Sequence, residues 1–174
     1  MIAERSGLVA TSLLVLSLLG LPGSALAYDE EEAAWQEDAV VFPEMPPPER
    51  MKALYVSPTA TNRFFVDPVS LTVGGDGVIR YVMLVETAGG ARNMTYEGLR
   101  CSTREKRIYA TARRDGSWST SRNEAWEKIR DIPPNRQHAA LYAEYFCPGG
   151  FVVRNPDEAR RALAVGGIPS HGQW

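Results

Sequence analysis

Histidine and cysteine are scarce: the chain has two of each in 174 residues. His138 and His171 are too few for a His-rich metal site, and the carboxylates lack EF-hand-type spacing. Cys101 and Cys147 do not form a Cys-x-x-Cys pair, so a thiol oxidoreductase role has no support. No Gly-x-Ser-x-Gly sets a serine on a nucleophile elbow. The glycine clusters Gly74-Gly75-Asp76-Gly77 and Gly89-Gly90 lack the Walker lysine and the strand–turn–helix context of a phosphate loop; hairpin turns explain both. These absences leave no catalytic residue, no metal site and no cofactor to assign. His138 is read as a boundary or capping residue, because a general base needs an orienting partner that the sequence does not display.

What is present begins with an address. Residues 8–21 are apolar, Pro22 and Gly23 break the run, and Ala25-Leu26-Ala27 has the small–x–small form of a signal-peptidase site. The run is shorter than the ~20 apolar residues of a bilayer crossing, so residues 1–27 are expected to be a cleaved leader. No transmembrane segment is expected after cleavage. No Cys follows the cleavage site, so the protein is expected to be periplasmic and not a lipoprotein.

Charge is unevenly spread. Residues 28–50 hold eight acids and one base, a net −7, and four prolines at 43, 46, 47 and 48. Residues 92–136 hold eleven bases and six acids, a net +5. Such asymmetry often marks a tail beside a folded domain. The prolines favour an extended linker, with the domain starting near Met51. In an oxidising compartment Cys101 and Cys147 read as one disulfide; the alternative is two separate buried thiols.

From Met51 the pattern is that of a β-meander. Strands are expected at 53–57 and 63–67, and at Val69, Leu71 and Val73, which alternate with polar residues. Residues 78–87 are the most hydrophobic segment, and Val82, Met83, Leu84 and Val85 give no polar face, so it should form a central strand covered on both sides. Residues 91–101 pair back. In 106–114, Ile108, Ala110 and Ala112 should share one face, and Arg107, Tyr109, Thr111 and Arg113 the other. Residues 121–130 are ambiguous: a helix capped by Ser121 and Glu124, or equally a last edge strand through Trp118. Residues 135–146 give the best helix, capped by Asn135. Asn155-Pro156-Asp157-Glu158 starts another, which ends at Gly166-Gly167. The fold class is α+β: an antiparallel β-meander sheet packed by one or two C-terminal helices, with one disulfide. The organisation is a signal peptide at 1–27, an acidic and proline-rich segment at 28–50, and a single domain at 51–174.

Four stretches carry a resemblance: Asn62-Arg63-Phe64-Phe65-Val66-Asp67, Asp76-Gly77-Val78-Ile79-Arg80-Tyr81, Gly89-Gly90-Ala91-Arg92-Asn93 and Tyr96-Glu97-Gly98-Leu99-Arg100-Cys101. Together with Tyr145-Phe146-Cys147 they resemble the cryptic neisserial protein (CNP)-like family of exported Gram-negative bacterial proteins. The resemblance implies a periplasmic or outer-membrane address and a single domain. It supplies no activity and no catalytic residues.

The bases cluster on two adjacent expected strands. Arg92, Arg100, Arg107, Tyr109 and Arg113 are the candidate surface for an anionic ligand. The leader makes nucleic acid an improbable partner, which leaves another envelope protein or an anionic envelope polymer. The plainer reading is a solvated face whose charges resist edge pairing. The function expected is that of a binding or interaction domain of the cell envelope. The rival is a small envelope hydrolase using carboxylates such as Glu86, Glu97 or Asp67. Two readings of the acidic segment stay open: a solvated tail, or a flap folded over the basic face with Trp35 as its anchor.

Overall fold

The computed structural model describes residues 35–167. The expected leader, the first acids of the 28–50 segment and His171 lie outside them. The described residues belong to one compact unit. Eight antiparallel strands form one sheet: β1 (Lys52–Leu54), β2 (Arg63–Val66), β3 (Thr72–Val73), β4 (Val78–Glu86), β5 (Arg92–Arg100), β6 (Glu105–Ala112), β7 (Trp118–Thr120) and β8 (Glu127–Lys128). The main order is β1-β2-β4-β5-β6-β7, with β3 beside β4 and β8 beside β6. As the apolar run Val82–Val85 predicts, β4 is central and buried along nearly its whole length. It pairs residue for residue with β5, from Val78 opposite Arg100 to Glu86 opposite Arg92.

Side chains alternate across a strand, so β4 and β5 feed two cores. Ile79, Tyr81, Met83 and Leu99 face the helical side, where Leu141, Tyr145, Phe146, Ala159, Ala162 and Leu163 complete one cluster. Val82, Leu84 and Tyr96 face the other way, against Met51, Tyr109 and Ala110. No helix covers this second face among the described residues. Residues 35–50 run across it as an extended strap, with Val40 packed on the cluster, Phe42 edge-on to Tyr96 and the Trp118 indole donating to the Pro43 carbonyl. The strap ends in a 3₁₀ turn, Pro48–Arg50. There Arg50 forms a two-pronged ion pair with the buried Asp67.

The helical layer follows its sequence signals in part. Helix α2 (Pro156–Val165) starts as expected: the Asn155 side chain accepts from the Glu158 amide, Pro156 opens the helix and Gly166 ends it. The other helix differs. Asn135 makes no capping bond, because Pro133-Pro134-Asn135 already forms a 3₁₀ turn that runs on into α1 (Arg136–Ala140). Residues Leu141–Phe146 continue as a π-helical turn, closed by the Cys147 amide on the Tyr142 carbonyl. Cys147 is bonded to Cys101, with Cα atoms 5.6 Å apart, and so ties this helix to the end of β5.

Three local expectations are corrected. Val69 and Leu71 lie outside the short β3, because Asp67 caps a turn there by accepting the Val69 and Ser70 amides. Of the two readings of residues 121–130 the helix fails, since Ser121 bonds locally to Asn123, while the edge strand through Trp118 forms as β7 and Glu127–Lys128 add a short pairing to β6. The even alternation expected along β6 is broken by a β-bulge. Glu97 pairs with Ile108 and Tyr96 with Ala110, leaving Tyr109 as the extra residue. Ile108 and Ala110 therefore point to opposite faces, while Arg107, Tyr109 and Ala110 share the strap side.

Candidate functional site

The bulge builds the site. Arg107 sits opposite Gly98, and the extra residue Tyr109 lays its ring over that glycine, where a Cβ would collide with the phenol. Arg80 on β4 also pairs with Gly98 and projects from the same face. Three side chains, Arg80, Arg107 and Tyr109, thus converge, with both guanidinium groups within 6 Å of the Tyr109 ring centroid. Such cation–π contacts add modestly to an already charged cluster.

A carboxylate occupies the cluster. One Glu37 oxygen accepts from Arg107 Nη1 at 2.7 Å and the other accepts from the Tyr109 hydroxyl at 2.6 Å. Arg80 Nη2 lies 3.6 Å from Glu37. Burial first, then the bond to Glu37, pushes the Tyr109 phenol far above its ordinary range, so it acts as a fixed donor. Arg80 is nine-tenths buried and forks onto Asp76, with a further bond to the Asp38 carbonyl. Burial opposes the Asp76 charge, but the Arg80 bond and two backbone amides outweigh it and hold the carboxyl below its usual range. Gly74 lets this knot close tightly, because a Cβ there would push the Asp76 and Arg80 side-chain ends aside.

The strap is held at its far end by aromatic contacts. Trp35 donates to the Asp76 carbonyl at 2.8 Å, takes the Arg100 guanidinium over its ring at 4.0 Å, and meets Trp126 edge-on. The Arg80 Nε and Arg107 Nε atoms are buried and find no acceptor among the described residues. A groove of about 160 Å³ opens beside the strap, lined by Val40, Phe42, Arg107, Tyr109 and the Thr120–Glu124 region. It reaches the two residues that hold Glu37.

The five residues expected as an anionic-ligand surface are not all together. Arg107 and Tyr109 share the Glu37 site, and Arg100 stands next to it under Trp35. Arg92 lies at the other end of β5, on Glu86, and Arg113 is exposed at the β6–β7 turn, bonded to Ser119. Arg80, Glu37 and Asp76 escaped the sequence reading. Arg80 was hidden in an apolar run, and Glu37 was one acid among eight.

The carboxylates considered for hydrolysis have internal partners. Glu86 is held below its ordinary range by Arg63, then Arg92, the reverse of what a general acid needs. Asp67 is fully buried on Arg50 and two amides. Glu97 is fully buried in the helical-side core. It accepts from Thr95 at 2.6 Å and from Tyr81 at 3.0 Å, and its Oε2 lies 2.8 Å from His138 Nε2. His138 is therefore no boundary residue: it is buried, and it latches the helix to β5 through Glu97. No group of three metal-ligating side chains occurs among the described residues, and no described helix is long and apolar enough to cross a membrane.

A family model described as the CNP1-like family matches residues 30–164, which take in the strap, the sheet and both helices. No curated protein and no solved structure matches the chain. The chain belongs to the CNP1-like family.

Proposed function

We propose that this protein is an exported, disulfide-clamped binding module of the bacterial cell envelope, and that it recognises an anionic partner through the strap-side face of its sheet. The observation that carries the reading is the Glu37 carboxylate seated between Arg107 and Tyr109. Paired cationic and hydroxyl donors on a rigid strand are the usual means of holding a carboxylate or another oxyanion. The face is also two-natured: Phe42, Tyr96, Trp118 and Trp126 surround the charged centre with aromatic area, the composition of a recognition surface. The leader pattern in residues 1–27 and the Cys101–Cys147 bridge support an oxidising, periplasmic address.

Photo-crosslinking in intact cells tests this. A crosslinker at Thr120, which lines the groove, should give a discrete adduct in the periplasmic fraction. Arg107→Ala should remove it. A crosslinker at the exposed Val165 on α2 should not give the same adduct. Equal adducts from both positions, or an adduct indifferent to Arg107, would count against the face.

A further inference from the structure

We infer that the partner presents an extended acidic segment, and that residues 35–43 are an internal stand-in for it. The inference rests on the binding face proposed above and names the ligand that the face accepts.

The strap is bound as a ligand peptide is bound. None of its residues pairs in a strand among the described residues, so it lies on the face of the sheet and does not extend its edge. Its anchors are spaced side chains: Trp35 on Arg100, Glu37 on Arg107 and Tyr109, Val40 on the Tyr96 cluster and Phe42 on Tyr96. Few backbone groups take part: the Asp38 amide donates to Asp76, the Asp38 carbonyl accepts from Arg80 and the Pro43 carbonyl accepts from Trp118. This is recognition by acid and aromatic position, which a second chain in the same conformation would satisfy equally.

Two observations show that the fit is loose enough to be exchanged. Trp35, Val41 and Phe42 are 42%, 79% and 39% exposed, so the outer strap contributes little burial. Arg80 Nε and Arg107 Nε have no acceptor among the described residues, so Glu37 does not use all the donors present, and the open groove reaches Arg107. The strap's root is different. Pro46 is buried and Arg50 is locked on Asp67, so the outer part can leave while the root stays. Charge selects the occupant: the buried Arg80, the half-buried Arg107 and a neighbouring Arg100 favour an acidic segment over a neutral one.

A closed strap lowers the apparent affinity for a competing segment by the fraction of chains that are open. The test uses the full mature chain and a fluorescent peptide of residues 35–45, read by polarisation at low salt. Glu37→Gln weakens the strap in place, and should tighten binding of the natural peptide by about tenfold over wild type, from loss of a charge-assisted bond. Trp35→Ala, which leaves the carboxylate site intact, should act in the same direction. Adding Arg107→Ala to Glu37→Gln should weaken binding by about tenfold or more. A scrambled peptide of equal charge should bind about tenfold more weakly. Equal binding of natural and scrambled peptides would overturn the inference while leaving a charge-selective face in place. No binding of either peptide would also overturn it, and the affinity for polyglutamate would then decide the face separately. A Glu37→Gln chain that becomes a strap-exchanged dimer would overturn it as well, by making a second copy the occupant.

Discussion

The Tyr109 hydroxyl donates a 2.6 Å hydrogen bond to the Glu37 carboxylate across 72 residues of chain. The bond joins the acidic end of the molecule to the basic sheet. An exposed ion pair contributes about 0–1 kcal/mol, too little to fix a strap. Here Tyr109 is buried and the Glu37 and Arg107 side chains are 16% and 20% exposed, so the charge-assisted range of about 1.5–3 kcal/mol applies. Of the two readings of the acidic segment, its described part follows the docked one.

Glu37→Gln should therefore loosen the strap without unfolding the sheet. Native-state hydrogen exchange reads this at Asp38, whose amide bonds Asp76. Exchange there should quicken about tenfold, while the amides of β4 and β5 keep their protection. A global rise in exchange would show that the strap is part of the folding core.

Gly98→Ala should destabilise the protein by about 1–3 kcal/mol, because the new Cβ overlaps the Tyr109 phenol. Denaturant unfolding measures it. In the background of Tyr109→Ala the same substitution should cost much less, since the clash is gone; simple additivity would mean that the two side chains do not meet.

These two glycine and tyrosine positions show where the sequence was readable. The central strand, the turns, the Asn155 cap and the Cys101–Cys147 bridge follow from local rules of apolar runs, glycine, capping and cysteine count. Tyr109 does not, because a bulge is invisible to alternation: one extra residue moved Ile108 to the opposite face from Ala110 and put Tyr109 over Gly98. Arg80 does not either: its partner Asp76 is only four positions away but reads as a turn residue, and Glu37 lies 43 positions away. The Glu97–His138 pair is separated by 41 residues and formed by tertiary packing alone.

Acid should find that pair. Burial alone would raise the Glu97 pKa, but His138, Thr95 and Tyr81 together hold it below the ordinary glutamate value. A depressed folded pKa gives stability that is fully present above the unfolded value, about 4.3, and lost as pH falls through the folded value. Wild-type stability should thus decline below about pH 4.5, and Glu97→Gln should flatten that decline. At pH 7 Glu97→Gln should cost about 1–3 kcal/mol, the usual penalty for leaving buried hydrogen-bonding groups unsatisfied. An unchanged acid limb in chemical denaturation would show that Glu97 is not the titrating group.

Replacing Cys101 and Cys147 with serine reopens a 46-residue loop. The chain-entropy argument sets the loss at about 4 kcal/mol, and 2–4 kcal/mol is typical of measured cases. Thermal unfolding under non-reducing conditions checks it. A loss below about 1 kcal/mol would mean that the Glu97–His138 latch and the apolar core hold the helix to β5 without the bridge.

The proposed anion binding by Arg107 and Tyr109, with Glu37 in competition, is tested by the affinity of the mature chain for polyglutamate, read by fluorescence anisotropy at low and high salt. Binding should be salt-sensitive, strengthening about tenfold in Glu37→Gln and weakening about tenfold in Arg107→Ala. Binding that is the same in wild type, Glu37→Gln and Arg107→Ala would contradict it.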